Sequence, residues 1–221
     1  MAQNYFDQGD YEKALSIFKE LYESNPNNIN YLQKMVATYQ ELGNYEMATK
    51  ILMQKVMSTS RHPDLFVELG YSLQLQGNKE ASNENYIKAI SLVKENPFYA
   101  HSVGEAFLRH NLLDQAAQTY ETAREQAPNA NFTIQLARIY GEQGKTEEMF
   151  VNYLKLIEEN PGLFNTVNRF LDQYITDEPE NEANQIFRKL LLKKLQENPD
   201  VLYNQMLSWL FTQQKDFKNA F

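Results

Sequence analysis

Turn-forming residues recur in this chain at an almost constant interval, and this spacing constrains the fold more than any other feature. Gly9, Gly43 and Gly77 are 34 residues apart, Asn111 follows after another 34, and Gly144 follows after 33. Five positions after each turn, and again four positions further on, the residue types repeat in two columns. The columns are Ala14, Ala48, Ser82, Ala116 and Met149, and Phe18, Leu52, Tyr86, Tyr120 and Tyr153. A fixed period of this length is typical of proteins built from tandem structural repeats.

Each period predicts two amphipathic helices joined by a short turn. Between Pro63 and Gln76 the apolar residues fall mostly three and four positions apart, the spacing of one buried helical stripe. Gly77 can adopt the positive φ that ends a helix, and Asn78 is a candidate N-cap for the next one. A second stripe follows, formed by Ala81, Tyr86, Ala89, Ile90 and Val93. The chain is therefore predicted to be all-α, with each helix burying its stripe against neighbouring helices.

These columns resemble the tetratricopeptide repeat, whose pattern is a large residue, Leu-Gly, Tyr, Ala, Phe and Pro. Leu69-Gly70 matches the Leu-Gly pair, and Ala14 and Phe18 match the Ala and Phe positions. Prolines close several of the units, at Pro26, Pro128 and Pro161. The resemblance implies a right-handed superhelical solenoid of tandem helix-turn-helix repeats, whose first helices line a concave groove. In such arrays the groove commonly holds an extended or helical peptide.

The period predicts a single solenoid over residues 1–221, divided into successive units. Their ranges are 1–28, which is truncated, 29–62, 63–96, 97–129, 130–163, 164–199, which is divergent, and 200–221, which is incomplete. The sixth unit has Asp177-Glu178-Pro179 in place of the glycine turn and a longer second helix, ending close to Asn198. The seventh stops where its second helix begins, so the chain is expected to be a piece of a longer protein.

Charge and composition argue against several classes of function. The formal net charge is −8 and the isoelectric point is near 5.0, whereas nucleic-acid binding depends on clustered lysines and arginines. The chain has no cysteine, which excludes disulfides, thiolate metal sites and thiol nucleophiles. Its apolar runs are shorter than the roughly 20 residues that span a bilayer, so membrane insertion is not expected. The compartment stays open between the cytoplasm and, if a signal peptide preceded Ala2, the periplasm or another exported location.

No residue pattern indicates catalysis, a metal or a cofactor, so we do not expect an enzyme. None of His62, His101 and His110 has the spaced partner of a helical zinc site, and no glycine-rich phosphate loop occurs. His62 and His110 are expected to be exposed at helix ends. Adjacent carboxylates such as Glu147-Glu148 lie at predicted helix starts, where the helix dipole stabilises them.

The resemblance places the partner-binding surface on the outward faces of the first helices. Tyr71, Phe98 and Leu108 are expected to be apolar anchors there. His101, Arg109 and Arg138 are expected to orient polar or acidic groups. The predicted groove residues are Gln33, Gln40, Val67, Tyr71, Gln74, Phe98, His101, Glu105, Leu108, Arg109, Ile134 and Arg138.

The leading hypothesis is a protein–protein interaction scaffold that holds a partner peptide or subunit in this groove. Chaperone-binding arrays of the family hold a C-terminal carboxylate with Lys and Asn residues, but Gln33, Ala37 and Glu68 occupy those positions here. That clamp is therefore not built. The alternative is a regulatory or targeting segment of a longer protein, whose catalytic or membrane-anchored part lies outside this chain.

A third hypothesis concerns the two ends of the array. Tyr5 and Phe6 lie near one end, and Phe217 and Phe221 lie near the other. These aromatic side chains are available to stack one chain on the next, so self-association through the repeat ends is also considered.

Overall fold

The computed structural model describes residues 1–59 and 61–220, and every regular element in these ranges is a helix. The α-helices are α1 (Ala2–Asp7), α2 (Tyr11–Ser24), α3 (Ile29–Glu41), α4 (Tyr45–Ser58), α5 (Asp64–Leu75), α6 (Lys79–Glu95), α7 (Ala100–Arg109), α8 (Leu113–Gln126), α9 (Thr133–Glu142), α10 (Thr146–Glu159), α11 (Phe164–Leu171), α12 (Glu182–Glu197), α13 (Val201–Gln213) and α14 (Phe217–Ala220). Short 3₁₀ turns precede α7, at Pro97–Tyr99, and α11, at Pro161–Leu163. The all-α prediction is confirmed.

The turns inside the helix pairs have the geometry that their sequence predicts. Positive φ angles of 70° to 81° occur at the four glycines of the period, Gly9, Gly43, Gly77 and Gly144. Asn111 occupies the same column and adopts a φ of 55°, which asparagine tolerates better than most residues do. Asn78 then caps α6, because its side-chain oxygen accepts a hydrogen bond from the backbone N–H of Ala81 at 3.2 Å. At Gly43 and at Gly77, a left-handed glycine followed by a capping asparagine therefore ends one helix and starts the next.

Residues Met1–Ala127 form one compact unit, which contains α1 to α8. Its core is built from the repeat columns, with Ala14, Phe18, Ala48, Leu52, Tyr86, Ala116 and Tyr120 all buried. Gly104 shows why the first helix of a pair carries a small residue, since a Cβ at this position would lie 2.5 Å from the ring of Tyr120. Helix α5 contacts α4, α6 and α7, so it is covered on several sides.

Residues Pro128–Phe221 form a second compact unit with its own core. The ring of Phe150 on α10 packs against that of Phe187 on α12, with the centroids 4.6 Å apart. The connection from α11 to α12 is organised by Asn184, which is fully buried. Its amide donates hydrogen bonds to the carbonyls of Thr176 and Glu178, at 2.8 Å and 2.7 Å. The buried amide of Asn184 therefore stabilises the connection between α11 and α12, where the divergent sixth unit has no glycine turn.

Each predicted repeat range contains one pair of consecutive helices, and the division into units stays a prediction. Phe221, one of the aromatic residues considered for self-association, lies outside the described residues. None of the helices in the described ranges combines the length and the apolarity needed to cross a membrane.

Candidate functional site

A groove of about 690 Å³ opens within the first compact unit, lined by residues of α1, α3, α5 and α7, by Tyr45 at the start of α4 and by His110 after α7. Its volume lies in the range of sites that bind small molecules or short segments. Polar, charged and aromatic side chains share the lining, which consists of Phe6, Asn30, Gln33, Lys34, Ala37, Gln40, Glu41, Tyr45, Glu68, Tyr71, Leu75, Arg109 and His110.

The floor of the groove is organised around the carboxylate of Glu68. Its Oε1 accepts a hydrogen bond from Nη2 of Arg109 at 2.8 Å, and its Oε2 lies 2.9 Å from Nε2 of His110. The Glu68 side chain is only 8% exposed, and that of His110 is 13% exposed. The imidazole of His110 stacks on the ring of Tyr71, with centroids 3.8 Å apart and planes 17° apart. Glu68, Arg109, His110 and Tyr71 therefore form one connected cluster, called the Glu68 cluster below.

The charge of Glu68 is maintained by its two basic neighbours. Burial acts to raise the pKa of this carboxyl, because removal from water disfavours the charged form. The hydrogen bonds and positive charge supplied by His110 and Arg109 outweigh burial, and the pKa of Glu68 lies below its usual value. Glu68 is thus an ionised carboxylate in a site from which water is largely excluded.

Two glutamines of α3 connect this helix to α5 across the floor of the groove. The amide of Gln33 donates a hydrogen bond to Oδ2 of Asp64 at 2.9 Å, and that of Gln40 donates one to Oγ of Ser72 at 2.7 Å. Burial raises the pKa of Asp64, although the nearby His62 acts in the opposite direction. Each amide has an N–H bonded within the protein, which holds the two side chains in place at the groove.

The groove lining carries exposed charges of both signs. The Arg109 side chain is 50% exposed and uses one nitrogen for Glu68. Lys34 is exposed on α3, and no ion pair joins it to a carboxylate in the part of the chain that the structure describes. The charge of Glu41 lies close to the hydroxyl of Tyr11 and raises its pKa. The groove therefore presents the guanidinium of Arg109, the ammonium of Lys34 and the exposed carboxylate of Glu41, while the carboxylate of Glu68 is paired inside the protein.

The structure brings four of the predicted groove residues to the groove lining, and these are Gln33, Gln40, Tyr71 and Arg109. The expectation that Val67 faces outward is wrong, because Val67 is fully buried. Helix α5 packs against α4, α6 and α7, so its core extends further around the helix than a single stripe. Gln40 is also buried, although it lines the groove. Its amide is held by Ser72, as described above.

Other predicted residues of the first unit lie outside this lining. Phe98 is 94% exposed in the 3₁₀ turn before α7, and Gln74 and His101 are exposed too. Leu108 and Glu105 are half-buried. Burial and the nearby charge of Glu105 raise the pKa of Tyr120, so Glu105 faces the core aromatic residue.

The last two predicted residues, Ile134 and Arg138, belong to the second compact unit. Ile134 is half-buried and Arg138 is exposed. The positive charge of Arg138 acts on Tyr153 and Tyr174, whose pKa values it lowers against the stronger effect of burial. Whether these two side chains contact a partner stays a prediction.

The sequence interpretation missed the Glu68 cluster, and the exposure that it predicts for His110 is wrong. His110 ends α7 as expected, but its ring is covered by Tyr71 and bonded to Glu68. One signal was available, since Glu68 stands in a run of core residues, Leu65 to Leu73, where an unpaired carboxylate is costly. No group of three or more potential metal ligands occurs in the described ranges.

The chain is similar to proteins that are named for the tetratricopeptide repeat. A family model described as Tetratricopeptide repeat matches residues 5–57. The chain is similar to the TPR repeat-containing protein YpiA of Bacillus subtilis (strain 168), with 24% identity over 163 residues, which cover 72% of this chain and 38% of that protein. It is also similar to Tetratricopeptide repeat protein 7B of Mus musculus, with 33% identity over 87 residues, 39% of this chain and 10% of that protein.

The solved structure of MamA matches with a TM-score of 0.39 and 22% identity, over 89% of this chain and 96% of that one. The chain spans 38% and 10% of the length of the two curated relatives.

Proposed function

The chain belongs to the tetratricopeptide repeat family, and from this premise we propose that it is a protein-interaction scaffold that binds a partner segment in the groove of its first compact unit. Proteins of this family generally act as non-enzymatic scaffolds. The observation that carries the proposal is the groove of about 690 Å³, lined by first helices of several pairs. It combines the half-buried ring of Tyr71 with polar and charged groups at its floor.

The mixed lining suits a peptide segment better than a wholly apolar ligand. Apolar and aromatic groups such as Phe6, Tyr71 and Leu75 can cover the side chains of a partner. Lys34 and Arg109 add charge that fixes the orientation of the bound segment. The floor is held in place by hydrogen bonds between helices, so little of it needs to be ordered when a partner binds.

The test fills the groove with a larger side chain. Ala37 is half-buried on α3 and lines the groove, so Ala37→Trp should obstruct any occupant whatever its chemistry. Ile87 on α6 is 58% exposed and does not line the groove, which makes Ile87→Trp the matched control. The parent chain and both variants are immobilised and exposed to lysate of the source organism, and retained proteins are identified by mass spectrometry.

A partner retained by the parent chain and by Ile87→Trp, but lost by Ala37→Trp, supports the proposal. Circular dichroism of all three proteins must show the same helical content for this comparison to count. Retention of the same partners by Ala37→Trp, in amounts equal to those of the parent chain, contradicts a role for the groove.

The alternative proposal is a regulatory or targeting segment of a longer protein. It is favoured by the short span of the match, since this chain covers 38% and 10% of the two curated relatives. The two proposals differ in what the flanking sequence does. The alternative predicts a longer protein with an additional active domain. Deletion of residues 1–221 from that protein should change the activity of the additional domain.

A further inference from the structure

The Glu68 cluster has a feature that the scaffold proposal does not explain. A carboxylate 8% exposed, at the floor of a binding groove, holds a guanidinium group whose side chain is half exposed. An ion pair with a buried carboxylate contributes little net stability compared with apolar residues of the same size, because the carboxylate loses its hydration. A role in stability alone therefore gives a poor account of why Glu68 is charged.

The geometry of the cluster restricts the movement of Arg109. One oxygen of Glu68 bonds Arg109 and the other faces His110. His110 is itself held by its stack on Tyr71, so the carboxylate cannot turn without breaking a second contact. A guanidinium has five N–H donors in a planar fork; Nη2 of Arg109 donates to Glu68, and half of the side chain stays exposed.

We propose that Glu68 is a positioning residue, which fixes Arg109 so that its remaining N–H groups bind a carboxylate of the partner segment. The inference rests on the proposed function of the groove and adds the chemistry of the partner. Preorganisation of the arginine lowers the conformational entropy lost on binding. An arginine fork also matches the two oxygens of a carboxylate.

The arrangement of charges selects acidic side chains as the source of that carboxylate. Lys34 lies on α3 and Arg109 on α7, while α5 is bonded to both helices, through Gln33–Asp64 and Arg109–Glu68. Neighbouring helix axes are about 8–10 Å apart, so an extended segment that crosses α5 can reach both cations. An extended segment with several acidic side chains offers an anionic group to each cation, whereas a segment that ends in one terminal carboxylate offers a single anionic group.

The test uses defined peptides and the full chain. Twelve-residue peptides of alternating Glu and Ala, Gln and Ala, or Lys and Ala are labelled at the N-terminus and amidated at the C-terminus, and binding is followed by fluorescence anisotropy. A fourth probe is the Gln and Ala peptide with a free C-terminal carboxylate. The Glu peptide should bind most tightly, and Arg109→Ala should weaken its binding roughly tenfold or more, as loss of a charged hydrogen bond does.

Glu68→Gln separates positioning from simple electrostatics, because the two effects have opposite signs. Removing a negative charge from the groove should tighten binding of an acidic peptide if charge alone matters. If Glu68 positions Arg109, the same variant should weaken binding of the Glu peptide severalfold. Glu80→Gln, at an exposed position in the first turn of α6, is the matched control and should not weaken binding.

Two further variants separate positioning from a general structural role. Arg109→Lys keeps the positive charge but loses the fork, so it should weaken binding as Glu68→Gln does. In an Arg109→Ala background, Glu68→Gln should cause no further weakening, since the side chain that it positions is gone. A loss of binding that persists in this background would show that Glu68 acts on the fold of the groove, and the positioning proposal would be wrong.

The other possible results of these binding measurements also test the proposal. Tighter or unchanged binding of the Glu peptide by Glu68→Gln overturns positioning and leaves the scaffold proposal to the Ala37→Trp experiment. Preference for the Lys or the amidated Gln peptide overturns the carboxylate assignment. Preference for the free C-terminal probe over the Glu peptide replaces acidic side chains with a terminal carboxylate and overturns the internal acidic segment.

Discussion

Gly104 is the residue at which the close approach of two helices can be tested most directly. A Cβ added there would lie 2.5 Å from the ring of Tyr120, which is fully buried. Replacing glycine by alanine inside a helix normally adds about 1 kcal/mol of stability, but overpacking a filled core costs about 1–3 kcal/mol or more. Because the buried ring has little room to move, we expect Gly104→Ala to lower the free energy of unfolding by about 1–2 kcal/mol, measured by urea denaturation.

The control for this prediction is a double-variant cycle with Tyr120→Leu. The smaller side chain leaves room for the added methyl group, so the two substitutions should be less destabilising together than the sum of their separate effects. Strictly additive effects would show that the methyl group and the ring do not meet.

The ionisation of the buried hydroxyl of Tyr153 should make the stability of the protein depend on pH in the alkaline range. Its side chain is 1% exposed, and burial, with a smaller effect from Tyr174, raises its pKa to about 12. A raised pKa means that the neutral phenol stabilises the folded state below the unfolded-state pKa, near 10, and that this contribution is lost as pH rises towards 12. We expect the free energy of unfolding to fall over this range, by up to roughly 3 kcal/mol from this residue.

Tyr153→Phe removes the ionisable hydroxyl and keeps the ring. Its free energy of unfolding, measured by denaturant titration at several pH values, should fall less steeply above pH 10 than that of the parent chain. An identical slope in the two proteins would assign the alkaline loss to other tyrosines.

At the scale of the element, the helix-to-helix turn depends on one left-handed residue. Gly43 has a φ of 70° and its added Cβ would meet no atom within 4 Å, so Gly43→Ala tests backbone strain without a steric clash. We expect it to lower the free energy of unfolding by about 1–2 kcal/mol. Asn111 already occupies the equivalent position at a φ of 55°, and Asn111→Gly should change the free energy of unfolding less than Gly43→Ala does, because asparagine and glycine both adopt left-handed conformations.

At the corresponding turn between α13 and α14, a substitution of Lys215 should change stability in the opposite direction. It adopts a φ of 57°, which a lysine reaches with strain and a glycine does not. Its ion pair with Asp177, at 2.7 Å, lies in solvent and adds little. Lys215→Gly should therefore raise the melting temperature, measured by circular dichroism, and a decrease would show that the ion pair outweighs the backbone strain.

Across the whole molecule, local signals predicted the elements well. The turn at Gly77 and its replacement by Asn111 follow from φ preferences of single residues, and α12 ends at Glu197, beside the predicted Asn198. The repeat columns also placed Tyr120 and Tyr153 in the core. These features depend on spacing within about one period, which one sequence shows directly.

The groove was less predictable, because its details arise from contacts between periods. Val67 is buried because α5 is packed between several helices, and a pattern that assumes one stripe per helix cannot show this. The Glu68 cluster joins residues 41 and 42 positions apart. Its only trace in the sequence is a carboxylate within an apolar run, and the identity of its partners depends on how one first helix lies on the next.

The last prediction concerns the stability of the first compact unit as a separate protein. Residues 1–127 contain α1 to α8, a core of their own and the whole Glu68 cluster. We expect a fragment of these residues to fold and to melt cooperatively, as stacked helical pairs do when each has a neighbour.

A shorter fragment, residues 1–96, keeps Glu68 but removes Arg109 and His110, which leaves a carboxylate in the groove floor without its charged partners. Loss of the partners of a buried charge costs about 3–5 kcal/mol, so the shorter fragment should be less stable than the lost helices alone imply, and Glu68→Leu should restore part of its stability. If Glu68→Leu destabilises the shorter fragment as much as the longer one, the carboxylate is hydrated in the absence of Arg109 and His110, and the cluster is less buried than its distances indicate.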